Sequence, residues 1–443
     1  MKILKLAGLA RALRASRRTW VFGVAMAVAG TAYGAGVEIE VWHTLSGPNK
    51  AEFEKLTKKY NNEQKEVDVE LRGFADSQAL QVAITEALKK KDGPNLIQLA
   101  DNRSPEVVSQ HKAILPLYKL LAQHPIKDLN WFLPSTSSFI RDDKGRLLAF
   151  PWMAEIPVMY YNLSYYKKAG LDPNKPPRTW ADLQADLLKL RDVANLECPY
   201  ATSNQVQVHL ENLAPINKQL YTSNDNGLVS SKKPPVFQFD TLYMRHISLM
   251  VSWKRSLLLM QHSDSAQNDQ LFAKGQCGVL TSGSGSAGTF MNTRSLSFGV
   301  APLPFYSQVT AAAGSPFVSG SALWAVDGHP KDQEKATAQY LAWLSKPVNA
   351  AEWHQRTGYL PLTDAAFRAA DVSFYDKVLG AKAVVASMTG KAPNTSRGFR
   401  MKNYDRVEPV LNTELNQALD GQTPPVAALN SASEQARKIV QQR

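Results

Sequence analysis

Between residues 37 and 100 the apolar residues switch back and forth between two periods, and that rhythm restricts the fold more than any other feature of the chain. Val37, Ile39 and Val41 alternate with Glu38 and Glu40, the two-residue period of a strand, and Trp42-His43 stands at its C-terminal end. Phe53, Leu56 and Tyr60 then recur three and four apart, one apolar face of a helix among lysines and glutamates. A second strand over Val67 to Leu71 precedes a helix from Ser77, with Leu80, Ala83, Ile84, Ala87 and Leu88 on one side. Asp92-Gly93-Pro94 breaks the chain before the apolar strand Leu96 to Ala100. Such alternation predicts an α/β fold built on a parallel sheet with right-handed crossovers, in which ligands gather beyond the carboxyl ends of the strands. Trp42-His43 and Asp101 stand at such ends. Ser104-Pro105 reads as an N-cap and first helical residue, so Asp101 serves either as a ligand contact or as a second capping carboxylate.

The first 34 residues carry Lys2, Lys5, Arg11, Arg14, Arg17 and Arg18 and no acid, then the apolar run Trp20 to Ala29 and the small-residue stretch Ala32-Tyr33-Gly34. This is the pattern of a secretory signal peptide, and Ser16-Arg17-Arg18-Thr19-Trp20 loosely matches a twin-arginine version. Its removal takes six positive charges from the formal +12 and leaves a modest excess spread through both halves, without the aromatic-interleaved basic runs of a nucleic-acid surface. The 409 residues that remain exceed one ordinary core, so two lobes are expected. Cys198 and Cys277 form an even pair in an exported chain and are either bridged or two small buried hydrophobes. The eight histidines are scattered without a pair at ligand spacing, and no metal or cofactor is assigned.

Leu147 to Phe150 and Val158 to Tyr161 read as strand pieces joined by an irregular segment, Pro151 to Pro157, where the chain first crosses between lobes. Thr179 is the expected N-cap of the next helix. Phe272 to Leu280 leads into Thr281-Ser282-Gly283-Ser284-Gly285-Ser286-Ala287-Gly288, a tract that either brings backbone N–H groups close to an anion or forms a flexible surface loop. It has neither the frame of a hydrolase nucleophile elbow nor the lysine of a P-loop. Val318 to Val326 reads as a strand entered through Gly320, and residues 333 to 345 as a helix. The expected organisation is a signal peptide over 1–34, a first lobe of 35–150 with about 275–325, and a second of 151–274 with about 326–443.

Residues 349 to 363 end a helix at Gly358, a left-handed C-cap, and Pro361 forbids its restart, leaving Tyr359 on a short stiff connection. With Tyr160-Tyr161-Asn162, Lys167 to Trp180, Leu210-Glu211-Asn212 and Ser321 to Trp324, this segment closely resembles the sn-glycerol-3-phosphate-binding branch of extracytoplasmic solute-binding proteins. The resemblance runs from about residue 37 to the C-terminus. It implies two α/β lobes around a ligand cleft, as in periplasmic binding proteins, and a monomer that performs no chemistry. It further implies delivery of a small molecule to ABC permease subunits in the inner membrane, with no nucleic acid partner.

Carried over from that resemblance, Gly320, Tyr359 and Arg400 form a phosphate half-site, since a guanidinium can grip phosphate through two parallel hydrogen bonds. Taken singly, Arg400 also suits a surface ion pair, Gly320 a close backbone approach and Tyr359 plain packing. Asp101 matches the family's acidic residue. The chain departs from the pattern elsewhere: Asp76 or Ser77 replaces a tyrosine, Glu155 a serine, Asn204 a tryptophan and Gly283, beside Ser284, a serine. Two carboxylates, Asp101 and Glu155, then face the cleft and repel a phosphate dianion unless spaced for hydroxyl groups or a cation; Glu155 alternatively is a solvated carboxylate at the crossing. The expected cargo is glycerol 3-phosphate or a glycerophosphodiester, the alternative a sugar or oligosaccharide stacked on Trp42, Trp152 or Trp324. A secreted hydrolase would have to use Asp101 with Glu155.

Overall fold

The computed structural model describes residues 36–100, 113–126, 140–142, 144–260, 265–388 and 393–442. The opening rhythm folds as its periods require. Strand β1 (Val37–His43) lies parallel to β2 (Val67–Gly73) and to β3 (Leu96–Ala100), with helix α1 (Gly47–Glu63) and helix α2 (Ser77–Lys90) as the connections. Phe53, Leu56 and Tyr60 of α1 are buried against the sheet, as are Leu80 and Ile84 of α2. Lys91 closes α2 in the left-handed conformation just before the Asp92-Gly93-Pro94 break.

The first sheet continues through β10 (Ser319–Val326) to β4 (Ile114–Leu115), in the order β2-β1-β3-β10-β4, and β10 also pairs with β5 (Phe150–Glu155). A second sheet has the order β7 (Cys198–Thr202), β8 (Cys277–Gly283), β6 (Pro157–Asn162), β9 (Phe298–Pro302). Neither sheet is purely parallel: β10 runs antiparallel to β3, β4 and β5, and β6 runs antiparallel to β8 and β9. The cause is topological. A strand that arrives from the other lobe starts at the edge where the local β-α-β strands finish, as Ser321 of β10 does opposite Ala100 of β3.

The sheets divide the chain differently from the expected segments. Strands β8 and β9, expected in the first lobe, hydrogen-bond into the second sheet, and only β10 of the stretch 275–325 joins the first. The helix Lys331–Leu344 packs on β1 and the helix Pro347–Thr357 on α1, so this part of the 326–443 stretch builds the first lobe. Tyr60 packs against Tyr340 and Trp343 there. The C-terminal helices Tyr404–Leu419 and Pro425–Val440 instead cover the helix Thr241–Arg255 of the second lobe. The strand periods reveal that these segments are strands, but not which sheet receives them.

Cys198 and Cys277 are bridged, opposite one another in the parallel pairing of β7 with β8. Thr179 caps its helix through a reciprocal pair of bonds with Asp182. Trp42, Trp152 and Trp324 are core residues, at most 3% exposed, so none presents a face on which a sugar stacks. Among the described residues no helix is long and apolar enough to cross a membrane.

Candidate functional site

The helix Pro347–Thr357 ends as its sequence demands. Gly358 has φ +84°, and its N–H donates to the His354 carbonyl at 2.9 Å. A Cβ at this glycine would lie 2.3 Å from the Ser284 carbonyl, so the turn requires glycine for space as well as for conformation. The turn is fastened on three sides. The Leu360 N–H donates to the carbonyl of Ala154 in β5 at 2.8 Å, the Tyr359 N–H to Thr357 Oγ1 at 3.2 Å, and the His354 ring nitrogen Nδ1 to the Tyr359 carbonyl at 2.6 Å. The Tyr359 ring ends an aromatic column: Phe150 stacks on Trp152 at 5.9 Å, Trp152 on Trp353 at 4.9 Å and Trp353 on Tyr359 at 5.6 Å. Tyr359 is thus half-buried and fixed in plane, with burial first and the Glu155 charge second holding its hydroxyl protonated.

Glu155, the last residue of β5, lies where four other expected residues meet. The Gly285 N–H donates to its Oε2 at 3.1 Å. A Cβ on Gly283 would lie 2.4 Å from that same oxygen, and one on Gly320 3.1 Å from Glu155 Cγ. A Cβ on Gly285 would come 2.6 Å from the Tyr359 ring. Glu155, Gly283, Ser284, Gly320 and Tyr359 therefore surround one point at the passage from β5 to β6, which Ile156 alone connects. The glycine and serine tract is no flexible loop: Ser282 to Gly285 are buried, and the Ser284 N–H donates to the Ile156 carbonyl at 2.8 Å. Its backbone N–H does approach an anion, and that anion is the chain's own Glu155 carboxylate.

The other expected residues that the structure describes stand on other elements of the chain. Arg400 is half-buried; its Nη2 donates to the Arg141 carbonyl at 2.6 Å and its N–H to the Asn226 carbonyl at 2.8 Å. The left-handed residues Asn224 to Gly227 bring the chain against Arg400 so closely that a Cβ on Gly227 would lie 2.0 Å from its carbonyl oxygen. Ser77 is exposed at the start of α2, where Asp76 caps the helix by accepting from the Ala79 N–H at 2.8 Å. Asn204 is exposed with φ +49°. Asp101 and Ser104 lie outside the described residues. At the end of β1, His43 is buried, its Nδ1 accepting from the Leu45 N–H at 3.2 Å, and burial together with nearby Lys50 pulls its pKa down to about 4.

Several residues that shape the candidate site carried no signal of that role in the sequence. The Asn49 side-chain amide in α1 donates to the Gly285 carbonyl at 3.0 Å, and its side chain also meets the Tyr359 hydroxyl. The Tyr160 hydroxyl is shared between the Gly283 and Ser284 carbonyls at 3.0 and 2.9 Å. Asp269 accepts from the hydroxyls of Ser203, Ser282 and Ser286. Gly285 could have been found, since it sits between the two serines of the tract. Asn49 could not, because it reaches the site from a helix 236 residues away, and nothing local to the helix Ser265–Ala273 marks Asp269 as the partner of the tract's serines. His209 and His246, 37 residues apart, meet at 2.9 Å within the second lobe, a pairing that ligand spacing cannot reveal. Among the described residues no group of three or more His, Cys, Asp and Glu could hold a metal ion.

Comparison with known proteins agrees with this architecture. Residues 55–378 match the model of the bacterial extracellular solute-binding protein family. The sn-glycerol-3-phosphate-binding periplasmic protein UgpB of Yersinia pseudotuberculosis is 32% identical over 406 residues, covering 90% of this chain and 91% of its own. The protein of the same name from Salmonella paratyphi A is 30% identical over 434 residues, covering 96% and 98%. Among solved structures, the cyclic α-maltosyl-1,6-maltose-binding protein of Arthrobacter globiformis aligns with a TM-score of 0.68 at 20% identity over 91% of this chain and 99% of that one. UgpB of Mycobacterium tuberculosis in complex with glycerophosphocholine aligns with a TM-score of 0.69 at 19% identity over 92% and 98%. These two share the fold, a pair of α/β lobes with a ligand cleft between them. The chain thus belongs to the bacterial extracellular solute-binding protein family, in its UgpB-like group.

Proposed function

We propose that this protein is the periplasmic substrate-binding component of an ABC importer, that it carries sn-glycerol 3-phosphate or a glycerophosphodiester to permease subunits in the inner membrane, and that it catalyses nothing itself. The observation that carries this reading is the meeting of Gly320, the Tyr359 turn and the backbone of Gly283 to Gly285 around Glu155, at the junction of the two sheets. The named relatives at about a third identity bind sn-glycerol 3-phosphate by name, which supports a phosphate ester as cargo. Tyr359 offers a hydroxyl donor and Arg400 a guanidinium to the phosphate. Glu155 suits hydroxyl groups or a cation rather than a second negative charge. A zwitterionic glycerophosphodiester satisfies both requirements, and the glycerophosphocholine held by the Mycobacterium tuberculosis protein is of this kind.

Calorimetry against glycerol 3-phosphate, glycerophosphocholine and maltose tests the proposal. A phosphate ester is expected to bind, and Arg400→Ala to weaken it about 10- to 100-fold, the loss of one charge-assisted interaction of about 1.5–3 kcal/mol. Binding of maltose alone, unaffected by Arg400→Ala, would sink the phosphate reading in favour of a sugar carrier, since a carboxylate placed like Glu155 also accepts from sugar hydroxyls. Turnover of a glycoside or phosphodiester, abolished by Glu155→Gln, would overturn the transport reading itself.

A further inference from the structure

We propose that Asp269 is a positioning residue for the ligand cleft, holding the Gly283-Ser284-Gly285 backbone in the one conformation that presents the Gly285 N–H to Glu155. The proposal rests on the reading of this cluster as the ligand site. Asp269 touches none of the expected ligand residues. It sits in the helix Ser265–Ala273, which packs on β7 and β8. Its Oδ2 accepts from Ser286 Oγ at 2.6 Å and from Ser282 Oγ at 3.3 Å, residues that bracket the turn, and these two hydroxyls are themselves 3.2 Å apart. Its Oδ1 accepts from Ser203 Oγ at 2.6 Å, at the end of β7 beside Asn204. One carboxylate thus ties both ends of the turn to the helix Ser265–Ala273.

The arrangement has a chemical logic. The serine hydroxyls are donors that could otherwise bond to backbone carbonyls within the turn and offer it alternative conformations. A half-buried carboxylate with four acceptor positions takes both turn hydroxyls on Oδ2 and removes those alternatives. The carbonyl side of the turn is fixed separately, by the Tyr160 hydroxyl on Gly283 and Ser284 and by Asn49 on Gly285. With both sides held, the Gly285 N–H has one direction left, toward Glu155 Oε2. Such fixing lowers the ordering cost of ligand capture.

The test combines Asp269→Asn with the milder Ser286→Ala and, as control, Ser203→Ala, which removes a donor from the same carboxylate on the side away from the turn. The direct readout is the Gly285 amide resonance of the ligand-free protein by NMR. The expected result for Asp269→Asn and Ser286→Ala is an upfield shift of the Gly285 amide proton with faster hydrogen exchange, and about tenfold weaker binding of glycerophosphocholine, or of maltose if only maltose binds the parent. Ser203→Ala is expected to leave both unchanged. An unmoved Gly285 amide in Ser286→Ala, or equal effects in Ser203→Ala and Ser286→Ala, would overturn the proposal. Should the parent bind neither probe, the proposed function fails while the amide resonance still decides the role of Asp269.

Discussion

Gly320 and Gly283 both face Glu155, yet replacing each with alanine is expected to have unequal consequences for stability, because different atoms stand in the way. Gly320 has φ +103°, a conformation that costs a residue with a Cβ roughly 1–2 kcal/mol. Its Cβ would also lie 2.3 Å from the Met153 carbonyl oxygen, which is strand backbone paired with β10 and cannot rotate aside. Forcing the strands apart adds about 1–3 kcal/mol, so Gly320→Ala is expected to lose about 3 kcal/mol. Gly283 has φ −65° and ψ 147°, which alanine adopts freely. The obstacle at 2.4 Å is Oε2 of Glu155, the far end of a flexible side chain that can turn away. Turning it away gives up the Gly285 N–H bond, about 1 kcal/mol, and a displaced rotamer costs about 0.5–1.5 kcal/mol, while the stiffer unfolded chain returns about 0.4–1 kcal/mol, for a net loss of about 1 kcal/mol. Urea unfolding followed by circular dichroism measures both. A difference of about 2 kcal/mol or more, with ligand affinity altered in both variants, is expected. Equal stabilities would refute the argument that the β5–β10 contact demands glycine, and unchanged affinity in Gly283→Ala would refute the placement of Glu155 at the site.

Reducing the Cys198–Cys277 bridge frees a loop of 79 residues, worth about 4.5 kcal/mol in the chain-entropy account, and should lower the urea midpoint markedly; a shift under about 1 kcal/mol would show that the strand pairing alone suffices. Burial holds His209 neutral, with its pKa lowered to about 3, and burial first and neighbouring His209 second hold that of His246 well below its ordinary value. Since the unfolded chain takes up these protons near pH 6.5 and the folded chain does not, the stability present above pH 6.5 should be lost as pH falls, by about 1.4 kcal/mol per pH unit for each histidine. Stability constant between pH 6.5 and 5 would contradict this. Tyr359→Phe keeps the stack on Trp353, so the unfolding midpoint should hold within about 0.5 kcal/mol while affinity for the bound probe falls about fivefold, the value of one hydrogen bond of about 1 kcal/mol; a collapse in stability would make the hydroxyl structural.

Local chemistry made the turn at Gly358 and the strand-helix rhythm of residues 37–100 legible in the sequence, since each depends on residues close together in the chain. The membership of β8, β9 and the helix Lys331–Leu344 was not, because nothing local records which sheet a strand joins after the chain crosses between lobes. The same limit separates the site residues. Glu155, Gly283, Ser284, Gly320 and Tyr359 were readable individually, through family resemblance and turn chemistry, and the structure brings them together. The supporting roles were not legible: the Asn49 side chain bonds across 236 residues of sequence, the Tyr160 hydroxyl across 123 and 124, and Asp269 accepts from hydroxyls 13, 17 and 66 residues away. Their distribution follows from the architecture. Strand ends and turns at the junction of the two sheets have backbone that is not held by a full ladder, so side chains from flanking helices and from β6 supply the missing partners. The glycines let the backbone approach Glu155, and the distant polar groups keep it there. Glycines without those groups would give a mobile loop, and the polar groups without glycines would find no room to hold the turn.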